Sequence, residues 1–176
     1  MRSAGTTFII FIVVIGMVLG IILVSSPSKT TSPSATTSQS AANKDIVGQF
    51  EGFNEYNYDI QKQDGKPVVY LFSTTTCPHC EWISETFDKW AKDNSDKVVA
   101  YHWQLDTGDN TITTEKETVA PQDVEAIFAK FNPEGSVPTF VFGGKYSRVG
   151  NGFEQESDLT KEVETYNKVL DKLLGK

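Results

Sequence analysis

The chain has 176 residues and a formal net charge of −7, and its charges are unevenly distributed. All 23 Asp and Glu residues lie after residue 44, whereas Arg2 and Lys29 are the only charged residues before that point. An acidic domain of this kind repels nucleic acids and anionic membrane surfaces, so neither is expected as a direct partner. Because roughly 130 residues can bury a core without a disulfide, the only two cysteines, Cys77 and Cys80, indicate chemistry rather than scaffolding.

A continuous apolar segment, residues 8–24, dominates the N-terminus. As a helix it would span about 25 Å, near the lower limit for crossing a bilayer. A cleaved signal peptide normally has a shorter apolar core, of about 7–15 residues. We therefore expect residues 1–24 to form an uncleaved membrane anchor that places the rest of the chain outside the cytoplasm. A cleaved signal, which would secrete the domain, is the alternative.

Residues 25–43 are expected to form a flexible linker between this anchor and the rest of the chain. Eleven of the 18 residues from 25 to 42 are Ser or Thr, and none is aromatic. Such a segment cannot bury enough apolar surface to fold, so we expect it to act as a solvated tether.

The third region, residues 44–176, is expected to fold as a domain. Hydrophobic periodicity, turn residues and helix-boundary residues predict its elements. In chain order these are a helix begun at Asp45 that carries Ile46, Phe50 and Phe53, a weakly helical stretch 55–63, a strand 68–73, a helix 78–93, a strand 97–105, a loop 107–121, a helix 123–131, a hairpin of strands 138–142 and 145–149, and a helix 159–174. From residue 68 onward the order β-α-β-α-β-β-α requires a parallel strand pair followed by an antiparallel hairpin.

The two cysteines lie where the 68–73 strand gives way to the 78–93 helix. Pro78 is suited to the first helical position, so Cys77 is placed at the helix N-terminus, where free N–H groups and the macrodipole favour a thiolate. His79 can add a cationic N–H near Cys77 and favour the thiolate over the disulfide. Stabilising the reduced thiolate makes the disulfide a stronger oxidant. Cys80, one turn into the helix, is expected to be the more buried resolving thiol.

A zinc site and a passive disulfide are the alternatives to a reactive dithiol. Zinc needs four ligands, and the chain offers the two cysteines with only His79 and His102, so no metal is expected. A disulfide that closes so short a loop stabilises a fold little, which disfavours a purely structural bond. His102 lies within the alternating pattern of the predicted strand 97–105, and a histidine in such a position is typically structural.

Residues 66–176 resemble the thioredoxin superfamily through two separate motifs. Cys77-Pro78-His79-Cys80 is identical to the motif of the DsbA-like oxidases, and the segment 136–145 is similar to the family's cis-proline segment and the hairpin that follows it. The resemblance implies a thioredoxin-like α/β fold, with a central mixed sheet flanked by helices and a cis bond before Pro138. It also implies that Val137 and Pro138 flank Cys77 and bind an extended substrate peptide, with Gly150 facing the same groove.

The chain departs from the family pattern in three places. Leu71 stands where the family usually has a buried acid that helps to move protons, which deprives Cys80 of that base. Thr76, a candidate substrate contact, stands where an aromatic residue usually precedes the first cysteine, so apolar contact with a substrate is reduced on that side. The 107–121 loop stands where DsbA-like proteins carry a large helical insertion, so the expected architecture is nearer plain thioredoxin.

Together these features predict a membrane-tethered, extracytoplasmic thiol–disulfide oxidoreductase. We expect it to donate the Cys77–Cys80 disulfide to exported proteins that contain cysteines, to need no cofactor beyond that disulfide, and to be reoxidised by a membrane redox partner. One alternative is a thiol reductase of the same fold, for example one that serves cytochrome maturation. Another is an accessory or binding module for a secretion or transport system.

Overall fold

The computed structural model describes residues 45–176, so the predicted anchor 1–24 and linker 25–43 lie outside the described residues. Within that range the chain forms eight strands and three helices. They are β1 (Ile46–Phe50), β2 (Phe53–Tyr56), β3 (Lys62–Gln63), β4 (Lys66–Ser73), α1 (Pro78–Asp93), β5 (Val99–Gln104), β6 (Asp109–Asn110), α2 (Gln122–Phe131), β7 (Thr139–Phe142), β8 (Tyr146–Val149) and α3 (Leu159–Leu173). None of these three helices has the length and apolar character needed to span a bilayer.

All eight strands belong to one mixed sheet built around β4. Seven of them follow the order β1-β2-β8-β7-β4-β5-β6, and β3 pairs with the start of β4. β4 runs parallel to β5 and antiparallel to β7, so Leu71 lies between His102 on one side and Phe140 on the other. The mixed sheet with its helices confirms the expected α/β class, including the parallel pair and the hairpin of β7 and β8.

The sheet buries both faces of β4, as its continuous apolar run predicts. On one face Val69 and Leu71 share a core with the apolar stripes of α1 and α3. On the other face Tyr70 and Phe72 pack in a second core with α2. This double burial fixes the end of β4, and hence the start of α1, between two packed layers.

The helix predicted at Asp45 is wrong, and so is the weakly helical stretch 55–63. Residues 46–50 form β1, whose exposure alternates with period two, and they pair with β2 through a turn at Glu51–Gly52. Both turn residues have positive φ, of 52° and 78°, which matches the twist of a two-residue hairpin. The 55–63 stretch instead holds the end of β2 and the short strand β3. The apolar residues 46, 50 and 53 fit a helix stripe, but pairing with strands of the sheet overrides that spacing.

The other predicted elements are observed with small changes in their bounds. The helix 78–93 has the predicted limits, and no other boundary of these elements moves by more than two residues. The predicted 107–121 loop contains the two-residue strand β6, which pairs with the end of β5.

A buried ion pair joins β8 to α3 on the core side of the sheet. The Arg148 guanidinium donates to the carboxylate of Glu162, whose side chain is fully buried. The same carboxylate accepts the backbone N–H groups of Gly152 and Phe153, the latter at 2.9 Å. Glu162 therefore fixes the backbone of the loop that follows β8, as well as the position of Arg148.

We expect Glu162→Gln to lower the free energy of unfolding by about 3–5 kcal/mol, because it leaves the buried charge of Arg148 uncompensated. Urea unfolding of the two proteins at pH 7 measures the difference. Glu51→Gln is the matched control, since Glu51 pairs with Lys168 at 3.1 Å on the surface, where such pairs are worth at most about 1 kcal/mol. Equal losses in the two variants would contradict a special role for Glu162.

Candidate active site

The two cysteines form a disulfide at the junction of β4 and α1. Cys77 is the N-cap residue of α1, and Pro78 follows it in the first turn, where a missing N–H costs nothing. The backbone N–H of Cys80 donates to Cys77 Sγ at 3.1 Å. When the disulfide opens, this N–H and the helix dipole stabilise negative charge on Cys77.

The two sulfurs differ in their access to solvent. Cys80 is 1% exposed and faces the core, whereas Cys77 is half-buried. An external thiolate can therefore reach Cys77 and not Cys80. This asymmetry assigns the attacked sulfur to Cys77 and the leaving sulfur to Cys80.

The loop before β7 lies against the attacked sulfur. Cys77 Sγ is 3.7 Å from the carbonyl oxygen of Val137, and the Val137–Pro138 peptide bond is cis, as the resemblance implied. The N–H of Gly150 donates to the carbonyl oxygen of Pro138 at 2.8 Å, so β8 holds this loop in place. Gly150 adopts a φ of +81°, a conformation that side-chain-bearing residues rarely adopt.

A groove of about 630 Å³ opens beside the dithiol. Val137, Pro138, Gly150 and His79 line one part of it, and residues 151, 152 and 154–156 line the rest. The structure thus brings together four of the residues selected from the sequence. Thr76 and Pro78 are exposed beside the disulfide and do not line this groove.

A carboxylate that the sequence analysis missed holds His79. Nδ1 of His79 is 2.8 Å from Oε1 of Glu154, and the Asn151 amide donates both to Glu154 Oε2 and to the backbone carbonyl of His79, each at 2.8 Å. The hydrogen bond from the Asn151 amide holds the pKa of Glu154 below its usual 4.5, and His79 lowers it further by a smaller amount. Partial burial acts in the opposite direction. No motif marks this loop, so the sequence alone carries no signal for either residue.

A second missed carboxylate anchors the segment that precedes the dithiol. The backbone N–H of Thr75 lies 3.1 Å from both carboxylate oxygens of Asp106, and the Thr75 hydroxyl donates to the same group. This hydroxyl contact is the main reason that the pKa of Asp106 is lowered. Asp106 lies in the turn of residues 105–108 between β5 and β6, and the sequence analysis did not connect it to the active-site loop.

Within residues 45–176 no group of three or more His, Cys, Asp or Glu side chains is arranged to hold a metal ion. The group capable of redox chemistry in this range is the disulfide itself. Its CxxC spacing at a helix N-terminus fits a DsbA-like thiol–disulfide oxidoreductase.

Comparisons with known proteins give one family and several distant structural likenesses. Residues 55–167, more than half of the chain, match the family described as thioredoxin-like domain. Among solved structures, the thioredoxin Deadhead of Drosophila melanogaster is 23% identical, with a TM-score of 0.40 over 60% of this chain and 83% of that one. The oxidoreductase NmDsbA1 of N. meningitidis is 16% identical, with a TM-score of 0.46 over 73% of this chain and 95% of that one. Among curated proteins no match was found.

Glu154→Gln is expected to destabilise the protein at neutral pH by less than about 1 kcal/mol, because the carboxylate is partly exposed to solvent. Since the folded pKa of Glu154 lies below 4.5, the advantage of the wild type is present above pH 4.5 and disappears as the pH falls through that lower value. Urea unfolding of both proteins across this range measures it. Glu134→Gln, in an exposed loop, serves as the control, and a difference that persists or grows at lower pH would refute the ionic origin.

Proposed function

The chain belongs to the thioredoxin-like domain family, and we propose that it acts as a disulfide donor to exported proteins. One observation carries the proposal: a half-buried disulfide sulfur, Cys77, caps a helix and accepts the N–H of Cys80, while its partner sulfur is buried. This geometry stabilises the reduced form of Cys77, and a dithiol with a stabilised reduced form is a stronger oxidant as a disulfide.

The proposed reaction begins when a substrate thiolate attacks Cys77 Sγ. The Cys77–Cys80 bond breaks, its electron pair leaves on Cys80, and a mixed disulfide joins Cys77 to the substrate. A second substrate thiolate then attacks the substrate sulfur of that mixed disulfide, and Cys77 leaves as a thiolate. The substrate loses two electrons and gains a disulfide, and the protein gains the two electrons as a dithiol.

The groove beside Cys77 supports a position for the substrate. An extended peptide whose cysteine reaches Cys77 would pass over Val137 and Pro138, with Gly150 and residues 151, 152 and 154–156 along its path. Such a peptide would pair through its backbone with the Val137–Pro138 loop. Backbone pairing binds many sequences equally well, which suits a donor that serves many exported proteins. The groove is open and its lining is mixed, with polar side chains such as Asn151 and Gln155 beside Val137 and Pro138, so it gives little apolar selectivity.

The proposal extends to location and to a redox partner. The apolar segment 8–24 would anchor the chain in the cell membrane, and the linker 25–43 would hold the domain on the extracytoplasmic side. Disulfides persist in that compartment. Each turnover leaves a dithiol, so a membrane redox partner must return the pair to the disulfide.

We expect the reduction potential of Cys77–Cys80 in the full-length, detergent-solubilised chain to be about −120 mV, a potential typical of strong disulfide donors. Equilibration with glutathione buffers, followed by alkylation and mass measurement of the free thiols, gives the value. His79→Gln is expected to lower it, because the variant loses the imidazole that Glu154 holds next to the dithiol. A value near about −270 mV, typical of thioredoxin, would overturn the donor assignment in favour of a reductase.

Replacing both cysteines by serine separates redox chemistry from an accessory role. In cells that depend on this protein, the Cys77→Ser, Cys80→Ser variant should accumulate to wild-type levels and fail to restore disulfides in exported proteins. Restoration by the variant would instead support a binding module.

For the proposed topology, we expect the reduced cysteine pair in intact cells to react with a membrane-impermeant maleimide, and the chain to stay in the membrane pellet after alkaline carbonate washing. Accessible Cys77 should be labelled without permeabilisation, since the domain is outside the cytoplasm. Cys77→Ser is the control, because the remaining Cys80 is buried and should be labelled slowly. Labelling of the wild type only after permeabilisation would contradict the location, and release by carbonate would contradict the anchor.

A further inference from the structure

A buried polar network lies under the sheet face of α1 and takes no part in the exchange steps described above. His102 of β5 is fully buried, and its Nε2 is 2.8 Å from the hydroxyl oxygen of Ser73. Its Nδ1 is 2.7 Å from Oδ1 of Asp88 and 2.8 Å from the Thr111 hydroxyl. That hydroxyl donates its single hydrogen to Asp88 Oδ2 at 2.9 Å, so both ring nitrogens and both carboxylate oxygens have partners.

The network extends from the end of β4 toward solvent. Ser73, the last residue of β4, points to the same face of the sheet as Leu71, because side chains alternate along a strand. That face packs against α1, whose buried residues include Cys80 and Phe87, and the His102 ring stacks edge-on against Phe87 at 6.0 Å. At the far end the side chain of Asp88 is 19% exposed. The network therefore runs from the buried face of the sheet that packs against α1, the helix that carries Cys80, to the partly exposed carboxylate of Asp88.

Ser73, His102 and Asp88 have the hydrogen-bond order of a hydrolytic triad, but Ser73 cannot act as a nucleophile. It is 1% exposed, so no substrate can approach its hydroxyl. The three residues can still hold and transfer a proton. A carboxylate next to one ring nitrogen of a histidine stabilises the imidazolium that forms when the other ring nitrogen is protonated.

The exchange reaction requires a proton transfer at Cys80. When the disulfide opens, Cys80 leaves as a thiolate in a site that is 1% exposed, and an unpaired buried charge is costly until it is protonated. When Cys80 later attacks a mixed disulfide on Cys77, the same proton must leave again, because the thiolate is the nucleophile. Burial prevents bulk water from carrying out either transfer directly.

We propose that Ser73, His102 and Asp88 form a proton relay for Cys80. Ser73 passes one proton between Cys80 and Nε2 of His102 through one water molecule, and Asp88 stays ionised to stabilise the imidazolium. Only a proton moves through the relay, while the electron pair stays on sulfur. The inference rests on the proposed exchange chemistry but holds for either direction of electron flow.

The surroundings of His102 leave Asp88 as its ionisable partner. Among the described residues at hydrogen-bond distance from the ring, β4 contributes Ser73, the segment after β6 contributes Thr111, and α1 contributes Asp88. Neither hydroxyl ionises in the working pH range. The charge state of the relay is therefore set by the His102–Asp88 pair and by Cys80 itself.

The test isolates the step in which Cys80 acts. The reduced full-length chain is mixed with glutathione disulfide between pH 5 and 9, and the reaction is stopped with acid at successive times. Intact mass then measures how fast glutathione joins Cys77 and how fast Cys80 releases it. We expect Ser73→Ala and His102→Gln to slow release at least about tenfold relative to joining, and to change its pH profile. Cys80→Ser, which cannot release glutathione, gives the joining rate alone.

Asp88→Asn and Asp93→Asn form a matched pair on α1. Asp93 pairs with Lys89 on the surface, outside the network, so its variant should release glutathione at the wild-type rate, whereas Asp88→Asn should be slow. If His102→Gln does not fold, Ser73→Ala, which removes one hydroxyl, decides the question.

Wild-type release rates and pH profiles in the Ser73 and Asp88 variants would overturn the relay. Equal slowing of both steps would also overturn it, because that outcome indicates a structural network. A wild-type chain that never joins glutathione would overturn the proposed exchange function, and the relay with it.

Discussion

The buried carboxylate of Glu162 is the contact on which the active-site end of the molecule depends. It neutralises Arg148 of β8 and accepts the N–H groups of residues 152 and 153, so it fixes a loop that has no regular structure of its own. That loop carries Asn151 and Glu154, which hold His79 beside the dithiol. A buried ion pair rarely stabilises a fold more than apolar packing of the same volume would. Here the pair serves to position the active site, because Glu162 of α3 fixes the loop that in turn holds the imidazole of His79.

The sequence was most informative where structure is determined locally. The apolar run of β4, the proline at the first position of α1 and the two glycines between β7 and β8 act through neighbouring residues, and these elements are where the sequence predicts them. Residues 45–63 were misassigned because their strands exist through pairing: β2 pairs with β8, about 90 residues away, while β1 pairs with β2 and β3 with β4. Ile46 and Phe50 satisfy a helical spacing and an alternating one equally well. Such a segment forms a strand when a sheet offers a free edge to pair with, and hydrophobic periodicity does not reveal whether that edge exists.

The same limit separates the predicted site residues from those that were missed. Cys77, His79 and Pro138 belong to short motifs whose chemistry can be read from adjacent residues. Glu154 and Asp106 are single carboxylates in loops, and each gains its role from a partner 75 or 31 residues away. His102 is an instructive case, because alternation along β5 correctly indicates a buried position. Its meaning depends on Asp88, which only the packing of α1 on β5 brings within 2.7 Å.

In the proposed mechanism two histidine–carboxylate pairs serve the two sulfurs, and the surroundings of the two pairs differ. The His79–Glu154 pair lies near the exposed end of the site, where water screens charge and its effect on Cys77 is modest. The His102–Asp88 pair lies in the core layer, where the same charges act over a much lower dielectric. Cys77 can remain a thiolate because the helix N-terminus stabilises it, whereas Cys80, without such donors, must be neutralised by a proton. In the proposed mechanism the ease of removing that proton determines how quickly Cys80 can close the disulfide again. The lifetime of the mixed disulfide, and with it the time available for a second substrate thiol, would then be set beneath the active site rather than at its surface.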